Sequence, residues 1–149
     1  MKKFLSKLCG ALALLALTAT AALAAGGWDD DYDKALAKAK AEKKMVLLDF
    51  TGSDWCPWCI KLDGEVFSKA DFKSYAKDNL VLVEVDFPNG KRQTKKLKQQ
   101  NDKLKEEFGV KGFPTVIVLN SEGKKVGQLG YQEGGPKPFT AKLDEMKGK

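Results

Sequence analysis

Three short apolar runs constrain this chain more than any other feature: Met45-Val46-Leu47-Leu48-Asp49-Phe50, Leu80-Val81-Leu82-Val83-Glu84-Val85-Asp86 and Thr115-Val116-Ile117-Val118-Leu119. Each is nearly unbroken rather than alternating, the pattern of a strand buried on both faces. Such strands need helices above and below their sheet, and the intervening segments supply them. Asp29, Asp30, Asp31 and Asp33 precede an Ala/Lys-rich stretch from Lys34 to Lys44, with acids at the positive end of a helix and bases at the negative end. Phe72, Tyr75 and Ala76 recur at helical spacing before the second run. Leu97, Leu104 and Phe108 share a stripe interrupted by polar Asn101, and Gly109 ends it as a C-cap would. After the third run, Asn120-Ser121-Glu122-Gly123 is turn chemistry and Lys124 to Gly130 an antiparallel partner. Phe139, Leu143 and Met146 mark a final helix entered through Pro136 and Pro138.

The order α-β-α-β-α-β-β-α predicts an α/β domain with one central mixed β-sheet flanked by helices. Parallel crossovers are expected to join the first three strands, with the hairpin adding an antiparallel edge. Neither an internal repeat nor a low-complexity linker divides it, so residues 25–149 read as one domain.

The preceding residues 1–24 read as a bacterial export signal. Lys2, Lys3 and Lys7 form a basic start, Leu8 through Ala24 carry no charge, and Ala22-Leu23-Ala24 has the small-x-small pattern of a cleavage site. This predicts a periplasmic or secreted protein. Membrane attachment is expected only if the segment is kept, since its uncharged run approaches the roughly 20 residues that span a bilayer. Cys9 precedes the apolar run, in the wrong place for lipid attachment, and leaves with the signal. Three of the 26 Lys and Arg residues lie in this segment, so the remainder nearly balances the 20 Asp and Glu residues. The basic cluster from Lys91 to Lys105 is mixed with Asp102 and flanked by Glu106 and Glu107, with no aromatic interleaved. It reads as a solvated helix face, with docking of an acidic partner as the second reading and nucleic acid not expected.

Processing leaves Cys56 and Cys59. One closely spaced pair is not the framework of a disulfide-stapled scaffold. The pair follows a buried strand and opens a helix, where free backbone N–H groups and the macrodipole favour a thiolate. Pro57 suits the first helical position, whose N–H has no partner. Helix starts and C-x-x-C contexts lower a cysteine pKa to between ~3.5 and ~7.5. Cys56, at the helix end, is therefore the expected nucleophile toward a disulfide, and Cys59, one turn in, the resolving thiol. Trp55 and Trp58 beside the sulfurs are read as walls that limit solvent and offer apolar contact to a substrate chain.

Trp55-Cys56-Pro57-Trp58-Cys59 after an apolar strand, with Phe108-Gly109-Val110-Lys111-Gly112-Phe113-Pro114-Thr115 far downstream, resembles the thioredoxin superfamily, in particular its exported members with a Phe-Thr-Gly-Ser-Asp-Trp-Cys segment. The likeness spans Trp28 to Met146 and implies a thioredoxin fold and thiol-disulfide exchange. It implies that Pro114 is a cis-proline facing the cysteines and that the backbone of Phe113 pairs with an extended substrate. Asp49 matches the buried acid that moves a proton for the resolving cysteine. It stands seven residues before Cys56, one more than in typical thioredoxins, and the lysine that usually partners it is replaced near Leu82. Asp63, at i+4 from Cys59, matches an acid of related periplasmic reductase domains and is a second candidate for proton transfer; Glu65 is a weaker one.

The chain has no histidine, which excludes Cys–His hydrolase chemistry. Haem attachment would need histidine where Ile60 stands, and structural zinc needs two more ligands than the processed chain offers. Two other readings stay open: Cu(I) held by the two thiolates or a metal shared across a dimer, and a thioredoxin-fold binding module that does no redox work. The reading adopted is a thiol-disulfide oxidoreductase with no cofactor and no metal, acting on protein or small-molecule disulfides and recycled by a redox partner. Reduction or thiol repair is expected over primary oxidation, because Gly112-Phe113-Pro114-Thr115 and Asp49 are thioredoxin-like and the length leaves no room for the inserted helical domain of dedicated oxidases.

Overall fold

The computed structural model describes residues 27–149. The expected signal, its cleavage site and Cys9 lie outside the described residues. Among the described residues no helix is long and apolar enough to cross a membrane.

Among the described residues five strands form one sheet in the order β1-β3-β2-β4-β5: β1 (Trp28–Asp29), β2 (Met45–Thr51), β3 (Leu80–Asp86), β4 (Thr115–Leu119) and β5 (Lys125–Leu129). The helices are α1 (Tyr32–Glu42), α2 (Pro57–Leu62), α3 (Ala70–Asn79), α4 (Lys95–Glu107) and α5 (Pro136–Asp144), with one π-helical turn, Asp63–Phe67, continuing α2. Successive residues of the apolar runs point to opposite faces, and each face has its own core. Leu47, Leu82, Val116 and Val118 pack with Leu62, Val66, Phe67, Phe72, Phe139 and Leu143 from α2, the π turn, α3 and α5. Val46, Leu48, Phe50, Val83 and Ile117 pack with Ala35, Ala39 and Leu104 from α1 and α4.

The caps follow the sequence chemistry. Asp31 accepts the N–H of Lys34 at 3.0 Å to start α1. Gly109, at φ +64°, ends α4 with its own N–H on Glu106 and that of Val110 on Lys105. Asn101 is buried because its amide donates to the carbonyl of Asp86 at 2.9 Å, so this polar break in the α4 stripe ties the helix to the end of β3.

Two expectations are corrected. The third apolar run is not a parallel strand. Although β2 and β3 are parallel, β4 runs antiparallel to β2, with Val46 opposite Leu119 and Phe50 opposite Thr115. The segment after β3 leaves at the Thr51–Asp86 pair and re-enters at the Phe50–Thr115 pair, the same end of the sheet, so β4 must run back. An apolar run buried on both faces looks alike in either direction. The second correction is an added edge strand: Asp29, read only as part of a helix approach, and Trp28, read only as the start of the likeness, pair with Val83 and Leu82.

Candidate active site

Because β4 begins where β2 ends, Phe113 and Pro114 arrive beside the loop that leads into α2. Cys56 is the N-cap of α2, with extended backbone, and its sulfur accepts the N–H of Cys59 at 3.2 Å. Pro57 occupies the first turn. Cys56 and Cys59 are joined as a disulfide with their Cα atoms 5.2 Å apart. Whole-residue exposure is 4% for both, so exposure does not distinguish them in the oxidised form. What does is the side they face: Cys59, and not Cys56, lines an acid-rich cavity behind the helix.

The residues between β2 and the disulfide are fastened to the loop after β3. The Asp86 carboxylate accepts both the N–H and the hydroxyl of Ser53, at 2.9 and 2.6 Å. Asp54 accepts the N–H groups of Asn89 and Gly90, which hold its carboxyl below the ordinary range. Lys91 donates to the Ser53 hydroxyl at 3.0 Å, and the N–H of Phe87 reaches the carbonyl of Thr51. The extra residue before Cys56 thus sits inside a closed hydrogen-bond set.

Aromatic rings stand on both sides of the cysteines. On one side Trp55 meets Phe113 edge-on at 6.0 Å, Phe113 stacks on Phe87 at 5.1 Å, and Lys105 lies over both phenylalanines. On the other, Trp58 packs at 5.1 Å from Tyr131, the Lys61 ammonium lies over both rings, and the Tyr131 hydroxyl donates to Glu65 at 2.6 Å. Trp55 and Trp58 are still 44% and 53% exposed, a large apolar area left open to solvent. The Phe113–Pro114 peptide bond is cis.

Behind Cys59 a cavity of about 380 Å³ is lined by Trp28, Asp49, Asp63, Glu84, Ser53 and Lys91, among others. Asp49 is buried, and its Oδ1 has no hydrogen-bond partner among the described residues. Burial, reinforced by the neighbouring carboxylates of Glu84, Asp63 and Asp86, pushes its carboxyl up to about 8. An orphaned oxygen is tolerable on a neutral acid and costly on an anion, which agrees with that direction. Asp63 is exposed at the rim, where it accepts from Ser68 at 3.0 Å.

Of the residues singled out in the sequence, Cys59, Asp49 and Asp63 share this cavity, while Trp55 and Phe113 form one wall and Trp58 the other. Glu84, Lys91 and Tyr131 were missed. Glu84 is the register partner of Asp49 on β3, two residues beyond Leu82, so an acid stands beside Asp49. Lys91 is not on the α4 face at all; it precedes the helix. Thr94, an N-cap residue type whose hydroxyl accepts the N–H of Leu97, was the available signal that the helix begins after Lys91, whereas nothing local marks Tyr131.

A disulfide capping a helix in a mixed five-stranded sheet, with a buried acid behind it and a cis-proline leading into the strand next to β2, defines a thiol-disulfide oxidoreductase of the thioredoxin fold. The chain belongs to the thioredoxin-like family, whose domain matches residues 32–147. It is 38% identical over 114 residues to the disulfide bond reductase DsbH of Chlamydia pneumoniae, covering 76% of this chain and 69% of that one. It is 33% identical over 103 residues to the thioredoxin-related protein DsbJ of the same organism, covering 69% of this chain and only 30% of DsbJ. A solved structure described as a DsbH oxidoreductase superposes with a TM-score of 0.76 at 34% identity, covering 93% of this chain and 94% of that one.

Proposed function

We propose that this protein is a reductase of disulfides in exported proteins, working from the periplasm or outside the cell after loss of residues 1–24, with residues 25–149 as its single domain. The observation that carries the reading is the one-sided cavity: Cys59 faces an acid held protonated at neutral pH, and Cys56 caps the helix between exposed aromatic walls.

In the reducing direction the Cys56 thiolate attacks one sulfur of a substrate disulfide, expelling the other as a thiolate and forming a mixed disulfide. Reduction of the internal disulfide has by then moved the Asp49 proton onto Cys59 and left Asp49 ionised; Cys59 returns that proton to Asp49, with Asp63 at the rim of the same cavity, and attacks the Cys56 sulfur. That step closes the internal disulfide and releases the second substrate thiolate. Two electrons leave the protein, and a dithiol partner returns them. Trp55 and Trp58 hold the substrate chain between them, Pro57 keeps the helix start in shape, and the backbone at Phe113, preceding cis-Pro114, is the place for an extended segment. The likeness to DsbH, a disulfide bond reductase, supports this direction.

Reduction of insulin by dithiothreitol tests the activity. The wild-type protein is expected to accelerate precipitation of the insulin chains, and Cys56→Ser to reduce the rate to background; an equal rate in the variant refutes dithiol catalysis. A redox potential above about −150 mV, close to the range of a strong oxidant, would refute the direction alone.

A further inference from the structure

Three carboxylates and one ammonium line the cavity behind Cys59, yet exchange needs a single proton there. Asp49 is the buried one. Glu84 stands opposite it in the β2–β3 register, on the same face of the sheet, with its outer side exposed. Lys91 reaches the same cavity from the loop after β3 and is fixed through the Ser53 hydroxyl at 3.0 Å. Among the described residues it is the only cationic one lining the cavity.

We propose that Glu84 is a positioning residue for the proton exchanged between Asp49 and Cys59, with Lys91 as its counter-charge. This rests on the dithiol reading above and extends it to residues that touch neither sulfur.

The charges around Asp49 are Glu84 and Asp86 from β3, Asp63 from the π turn, and Lys91 from the loop beyond; Asp30, after β1, also acts on Glu84. When a reductant thiolate attacks the Cys56 sulfur, the Cys56–Cys59 bond breaks and its electron pair leaves on Cys59. The proton of Asp49 moves to that thiolate, and Asp49 becomes an anion. In the resolving step the proton returns to Asp49 as Cys59 attacks Cys56. An anion at Glu84 keeps Asp49 loaded while the disulfide is closed and makes it the stronger base when Cys59 must be deprotonated. Lys91, pinned at the mouth, offsets part of that field.

The test is a charge series read on Asp49 itself. In the oxidised full-length protein the protonated Asp49 carboxyl is followed by infrared difference spectroscopy from pH 6 to 10, its band identified by loss in Asp49→Asn. Glu84→Gln is expected to lower the titration midpoint by on the order of one pH unit, Glu84→Lys to lower it further, and Glu84→Asp to keep it near the wild-type value. Lys91→Glu is expected to raise it. A midpoint unmoved in Glu84→Gln, or one that does not follow the order of charge across the four variants, overturns the proposal. The titration needs no turnover, so it stands or falls separately from the insulin assay.

Discussion

The indole N–H of Trp55 ends on the carbonyl oxygen of Phe87, 2.7 Å away, so the residue before the first active-site cysteine is fastened to the loop that follows β3. Its ring is enclosed on a second side by Phe113 and on a third by Gly52, where an added Cβ would lie 2.5 Å from the indole.

Gly52→Ala therefore cannot be accommodated without moving Trp55 off Phe87 or Phe113. A loss of about 1–3 kcal/mol in urea unfolding is expected, the usual cost of overpacking, together with a several-fold fall in kcat/KM for insulin reduction. Unchanged stability would mean that the indole is free to swing away.

Asn101→Leu removes the amide that satisfies the Asp86 carbonyl and leaves that oxygen to Gln93, 3.0 Å away on a less buried side chain. Stability is expected to fall by about 1–2 kcal/mol, even though the substitution completes the apolar stripe of α4. Urea midpoints at neutral pH decide between the two effects.

Asp49 gives oxidised stability a pH dependence whose sign is fixed. Its folded pKa, about 8, lies above the unfolded value of about 3.9, so the native state holds the extra proton between them. This contribution is fully present below pH 4 and is lost as pH rises towards 8, at up to about 1.4 kcal/mol per pH unit. Asp49→Asn is expected to flatten that slope and to be more stable than the wild type at pH 8. Thermal unfolding of both proteins across this range is the check, and parallel curves would contradict it.

Tyr131→Ala takes away the ring that packs on Trp58 and one of the two rings beneath Lys61. The expected result is a several-fold rise in KM for a protein disulfide with kcat little changed, because in the proposed mechanism the wall contacts the substrate chain and not the reacting sulfurs. Steady-state kinetics with insulin separate the two constants.

The sequence announces what local chemistry controls. Doubly buried strands need unbroken apolar runs, a tight turn needs Asn120 through Gly123, and a helix stop needs Gly109; the Cys56–Cys59 spacing is legible for the same reason. The direction of β4 is not, since it depends on which end of the sheet the chain returns to after α4. Two-residue β1 has no periodicity to read. Glu84 occupies a slot in an apolar run that looks like a solvent-facing interruption until its register with Asp49 is known. Lys91 was absorbed into a basic cluster most of whose members lie on α4, and Tyr131 meets Trp58 only through the return of the chain after β5.

The clamp between residues 51–55 and 86–91 has a consequence for what can be a substrate. Held by Asp86, Asp54 and the Trp55 indole, the segment carrying Cys56 has little freedom to reach outward, and the sulfurs themselves are almost covered. The visitor must therefore do the bending. In the proposed mechanism a disulfide on a loose or unfolded stretch would reach between the tryptophans at the cost of ordering its own chain alone, whereas one recessed in a finished fold would first have to unfold locally. Selection would then act on the state of folding of the client before it acts on the client's identity.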